Sequence, residues 1–117
     1  MTVRELMDLI GARSLNDRAP LDAELTCGYT CDLPSWVLAH GKQGMAWSTV
    51  QTHMNVIAVA SLMERAAVII PEGIQMEEPS LEKAREEGVA VLQSDKTAFA
   101  LCALLAQHGL PSSQPGD

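Results

Sequence analysis

Aromatic residues are scarce in this 117-residue chain, at 3% of the total. A core here must come from Ala, Val, Leu, Ile and Met, which suits close packing of helices on a sheet. Basic residues are also few. Eight Lys and Arg stand against fifteen Asp and Glu, a net charge of −7. Nucleic-acid binding depends on clustered cations that displace counterions, so this balance argues against a nucleic-acid partner. Anionic membrane surfaces are disfavoured for the same reason. No long hydrophobic run exists: the strongest, Val56 to Met63, is far too short to span a bilayer. Three cysteines, an odd number, cannot all pair within one chain, and "MTVRELMDLIGAR" lacks a signal-peptide pattern. Reduced thiols in the cytoplasm are the expectation. Cys27 and Cys31 are separated by three residues, with no histidines at ligand spacing, so no metal site is expected. Missing too are the glycine-rich phosphate loop ending in Lys-Ser or Lys-Thr, the G-x-G-x-x-G turn and the G-x-S-x-G elbow. Nothing in the chain calls for a cofactor or assigns a catalytic residue.

What the chain does contain is regular alternation. Its length and 47% apolar content suit one domain, expected over residues 1–110, with a flexible tail over 111–117. "TVRELMDLIGA" opens with Thr2 and Glu5 at capping-box spacing, carries an apolar stripe of helical period, and stops at Gly11. A short strand is expected near Ser14 to Asn16, and another in "ELTCGYTC". Asp32 is the expected cap of a helix in "DLPSWVLAHG". "MAWSTV" reads as a buried strand, "NVIAVASLMER" as a helix hydrophobic on most faces, and "AAVIIP" as a strand covered on both sides. "EPSLEKAREEG" reads as a helix capped by Ser80 and stopped by Gly88. "VAVLQ" and "DKTAFALCALLAQHG" complete the set as strand and helix. Such alternation implies a three-layer α/β fold, a mostly parallel sheet with helices on both faces.

In open sheets of this kind, ligands sit outside the carboxyl ends of the strands, beside helix N-termini. Four polar turns fall there: Cys31–Asp32; Gln51–Thr52–His53 with Asn55; Pro71–Glu72–Gly73; and Ser94–Asp95–Lys96–Thr97. The plain alternative for Asp32, Thr52, Asn55, Asp95 and Thr97 is capping, which satisfies orphan amides for structural reasons alone. Gly73 equally serves a turn that needs positive φ. His53 is the sharper candidate, because imidazole is a poor cap and costly in a core unless partnered, for instance by Asp32 or Glu72. Gln51 likewise has several hydrogen-bonding positions to fill. Glu72 suits a bare phosphate poorly unless a cation intervenes.

These same turns resemble those of the DRTGG domain, the module akin to the N-terminal domain of HPr kinase/phosphorylase. The family's Asp-Arg pair falls on Thr52–His53 of "TVQTHMNVIAVAS", and its Thr-Gly-Gly on Pro71–Glu72–Gly73 of "VIIPEG". Its later acid-and-threonine turn matches Asp95 and Thr97 of "SDKTAF", and "CGYTCDLPSWVLAH" matches the segment around the second helix. Of the five residues naming the family, Gly73 alone is kept. The resemblance spans nearly the whole chain. It implies this α/β fold, homodimerisation and a regulatory or ligand-sensing role. It does not imply catalysis, because phosphotransfer in HPr kinase belongs to a separate P-loop domain.

Three functional readings follow. The first is a dimeric sensing module that binds a small metabolite, a nucleotide or anion, at the strand-end edge. The second is an accessory subunit docking on a partner enzyme through Trp36, Met45 and Trp47, residue types favoured at interfaces. A small enzyme using His53 as acid–base is a third. The strongly apolar helix over Asn55 to Arg65 is the motive for expecting a homodimer.

Overall fold

A computed structural model describes residues 1–114. The elements run α1 (Val3–Ile10), β1 (Arg13–Ser14), β2 (Cys27–Thr30), α2 (Pro34–His40), β3 (Met45–Ser48), α3 (Met54–Leu62), β4 (Ala67–Ile70), α4 (Glu78–Glu87), β5 (Ala90–Gln93) and α5 (Ala98–Gln107). One five-stranded sheet has the order β1-β5-β4-β3-β2. β2 to β5 are parallel, and β1 pairs antiparallel with β5. The fold is the expected α/β three-layer arrangement.

The strand order explains the layering. β2, β3, β4 and β5 add in sequence from one edge, so crossovers of one hand put their three helices on one face. There α2, α3 and α4 bury Val37, Val56, Ile57 and Ala84 against Met45, Trp47, Val68, Ile70 and Val91. On the other face α1 and α5 bury Leu6, Ile10, Leu101 and Leu105 against Ala46, Ala67, Ile69 and Leu92. Each parallel strand alternates its side chains between the two cores, and β3, β4 and β5 are buried at every position. The parallel strands never reverse their order, so the sheet lacks the diverging crevice that usually accompanies a ligand edge.

Several local expectations hold. Thr2 and Glu5 form the capping box of α1, and Gly11 and Gly88 end α1 and α4 in the left-handed conformation. Others shift. Pro34 starts α2 and forces the residue before it into extended backbone, so Leu33 takes the cap position instead of Asp32. α4 begins at Glu78, because Pro79 fits a first helical turn, and Ser80 lies inside the helix, fully buried. Its hydroxyl donates to the Thr52 carbonyl at 2.6 Å. The cap of α3 is His53, not Asn55: the ring Nδ1 accepts from the Asn55 amide at 3.2 Å.

Met45 and Trp47 are fully buried, which removes them from any docking surface and leaves Trp36, 52% exposed. The apolar character of α3 also has a local cause, since the helix lies between α2 and α4. Past α5, Pro111 to Gln114 run along β2: the Gly28 amide donates to Pro111, the Ser113 amide donates to Gly28, and Gln114 Nε2 reaches the His40 carbonyl. The expected tail thus begins hydrogen-bonded to the sheet; residues 115–117 lie outside the described part.

Candidate functional site

The carboxyl ends of β2 to β5 open onto one edge, as parallel strands require. At the β2–β3 end, Asp32 turns away from its own helix. Its Oδ1 accepts from the Thr49 hydroxyl at 3.0 Å and from the Val50 amide at 2.9 Å. Trp47 Nε1 donates to the Cys31 carbonyl at 2.8 Å, tying the same turn from beneath. The Gln51 amide donates to Thr49 Oγ1 at 3.1 Å. Gln51 is exposed, and no bond to its side chain is seen among the described residues. Asp32, an exposed residue, is therefore a clamp between two turns.

Thr52 leans toward α4. Its hydroxyl donates to Glu77 Oε2 at 3.1 Å, while Ser80 holds its carbonyl. His53, committed through Nδ1 to Asn55, has neither Asp32 nor Glu72 as hydrogen-bond partner. His53 is exposed, and no hydrogen bond to its Nε2 is seen among the described residues. Among the described residues no hydrogen bond joins Cys31 to His53; the Cys31 thiol points to the Leu33 carbonyl.

At the β4–β5 end, Glu72 and Gly73 both adopt positive φ, +58° and +64°. The reason is visible in their amides, which donate to the Lys96 and Ser94 carbonyls, each at 2.9 Å. Gly73 also lies close to Asp95, where an added Cβ would meet Oδ1 at 3.0 Å. This turn is locked to its neighbour and has no free amides at these two positions for an anion. Thr97 caps α5, its Oγ1 accepting from the Ala100 amide at 3.2 Å.

The named residues thus form two bound pairs of turns, Asp32 with the turn after β3, and Glu72–Gly73 with Asp95–Lys96. The Thr52–His53–Asn55 segment lies between them, attached to α4. Thr49, Ser80, Glu77 and Ser94 complete the scaffold; Ser80 and Ser94 were legible as a cap and a turn residue but not by their partners, and Glu77 escapes sequence reading. Ser94 is buried and donates to the Ile10 carbonyl at 2.8 Å, a contact 84 residues distant in sequence. The charge is one-sided: Asp32, Glu72, Glu77 and Asp95 are exposed, and Lys96 is the one Lys or Arg in these turns. Among the described residues no cluster of three or more His, Cys, Asp or Glu could hold a metal ion.

Comparison with solved structures places this geometry. The chain is similar to the CBS and DRTGG domains of the regulatory region of Clostridium perfringens pyrophosphatase, crystallised with its activator diadenosine tetraphosphate. The TM-score is 0.75 at 13% identity, over 96% of this chain and 48% of that one. This likeness supports a DRTGG-like fold. The chain spans about half of that regulatory region. Neither a scan of protein-family models nor a search of curated proteins finds a match. No helix among the described residues is long and apolar enough to cross a membrane.

Proposed function

We propose that this domain is a non-catalytic regulatory module that senses a small metabolite at the carboxyl ends of its parallel strands. The observation that carries this reading is the gathering of Asp32, Gln51, His53, Asn55, Glu72 and Asp95 at one edge of a DRTGG-like fold. In support, the similar pyrophosphatase region is regulatory and was crystallised with a nucleotide activator. The side chains also sort by task. Asp32, Thr52, Gly73 and Thr97 are occupied in holding turns, whereas Gln51, the His53 Nε2 side and the Glu72 carboxylate remain for a ligand.

Electrostatics narrows the ligand. Four exposed carboxylates against Lys96 repel a bare polyphosphate, and the net charge of −7 adds to this. A nucleotide therefore binds with a divalent cation that travels with it, its base or sugar meeting Gln51 and His53. The test is a thermal-shift series with ATP, AMP and diadenosine tetraphosphate, with and without Mg²⁺. At saturation of about 100 times Kd, a specific ligand adds about 2.7 kcal/mol of stability. Stabilisation should need Mg²⁺ and should fall on His53→Ala. Absence of any shift, or full retention in His53→Ala, would count against this site.

A second reading has its own observation. Leu33, Val50, Met54 and Phe99 ring the same edge and are 58%, 41%, 43% and 87% exposed. Exposed apolar side chains grouped around a polar centre mark contact surfaces. A second copy of this chain, or a partner enzyme, covers this rim in that reading. Light scattering at micromolar concentration separates the possibilities: a dimer mass that Phe99→Asp converts to monomer supports self-association through the edge, and a monomer throughout removes it.

A further inference from the structure

Beneath the edge, on the α1/α5 face, a groove of about 210 Å³ lies between β2–β3, α5 and the segment after it. It includes none of the strand-end residues of the candidate site. We propose that this groove is a second binding site, for a small uncharged molecule built on a single ring and carrying one hydrogen-bonding group.

Three observations carry the assignment. The first is space. Small side chains face the groove, Gly28 and Ala46 from the sheet and Ala106 from the helix. A groove volume of about 210 Å³ is ample for a single ring. The second is charge. No Asp, Glu, Lys, Arg or His lines the groove, so nothing there balances an ion.

The third observation is Ser48. Alternation along β3 sends Met45 and Trp47 to one core, and Ala46 and Ser48 to the other side, where both line the groove. Ser48 is 2% exposed, and its Oγ has no hydrogen-bond partner among the described residues. Buried hydroxyls are normally partnered; the Ser48 Oγ is itself closed to solvent, so a turn of its side chain about χ1 toward the groove that Ser48 lines is what gives a ligand's polar group its partner. At the rim, Thr30 Oγ1 and Cys102 Sγ lie 3.0 Å apart and already satisfy each other. The groove thus offers one buried polar anchor in an apolar wall.

Amide ¹H–¹⁵N titrations of the full chain test this with three probes: phenol, benzene and benzoate. Phenol should give saturable shifts at Gly28, Ala46 and Cys102. Benzene should bind about tenfold more weakly, the worth of one hydrogen bond, and benzoate should not bind. Ser48→Ala should bring phenol to the affinity of benzene, and Ala106→Trp, a change at an exposed helix position, should abolish both. His53→Ala should leave all of this intact, so the result stands apart from the strand-end reading. Equal affinity for phenol and benzene, binding that survives Ala106→Trp, or no saturable shift would overturn the proposal. So would a high-resolution crystal structure in which Ser48 bonds an ordered water that phenol does not displace.

Discussion

At the scale of single residues, most of the polar side chains at the strand ends are fixing the backbone of a neighbouring turn. Gly73 shows the demand most directly. Its φ of +64° and the nearness of Asp95 leave no comfortable place for a side chain. Gly73→Ala should therefore lower stability by about 1–2 kcal/mol, the cost of a left-handed conformation for an L-residue. Urea denaturation reads this as a lower midpoint at an unchanged slope. The chemistry of these residues was legible in the sequence, and their partners were not. Asp32 has the composition of a cap, yet Pro34 moves the cap to Leu33 and frees the carboxylate for Thr49 and Val50. His53 looks like a poor cap, yet its Nδ1 takes that position. Such choices depend on which side chain reaches an amide first, and sequence spacing does not contain that information.

At the scale of elements, periodicity was enough for the parallel strands and for α1, α3 and α5, because burial imposes a pattern on consecutive residues. β4 shows why. A run of Ala67, Val68, Ile69 and Ile70 covered on both faces has no alternative reading once helices alternate with it. The meaning of α3 was less legible. A helix apolar on most sides is equally the sign of an oligomer interface and of a helix packed between two others. The position between α2 and α4 explains Val56, Ile57, Val59 and Ala60, and shifts the search for a self-association surface to the Leu33, Val50, Met54 and Phe99 rim. Asn16 was read as the end of a short strand, and its bonding role escaped notice for a related reason. Buried beyond the short β1, it donates to the Ala84 and Val89 carbonyls at 3.0 and 2.7 Å, joining the end of α4 to the start of β5. Its partners lie 68 and 73 residues away, so local sequence carries no trace of the bond.

At the scale of the whole molecule, strand order decides how the edge works. Four parallel strands laid down in sequence leave no reversal and no ready crevice. A ligand at their carboxyl ends rests on side chains and turns that are already tied together in pairs. Binding between the Asp32 clamp and the Glu72–Asp95 turn would join the two halves of this edge, which is how a small rigid domain can report occupancy to whatever covers its apolar rim. Under the proposed function, the acidic character of the edge would make a divalent cation part of the binding event. Hydrogen–deuterium exchange of the full chain with Mg²⁺ and diadenosine tetraphosphate measures this most directly. Exchange should slow over residues 50–56 and 94–98, dependent on Mg²⁺ and lost in His53→Ala. Unchanged exchange at both segments under saturating ligand, or protection confined to the opposite ends of the strands, would contradict the proposed function.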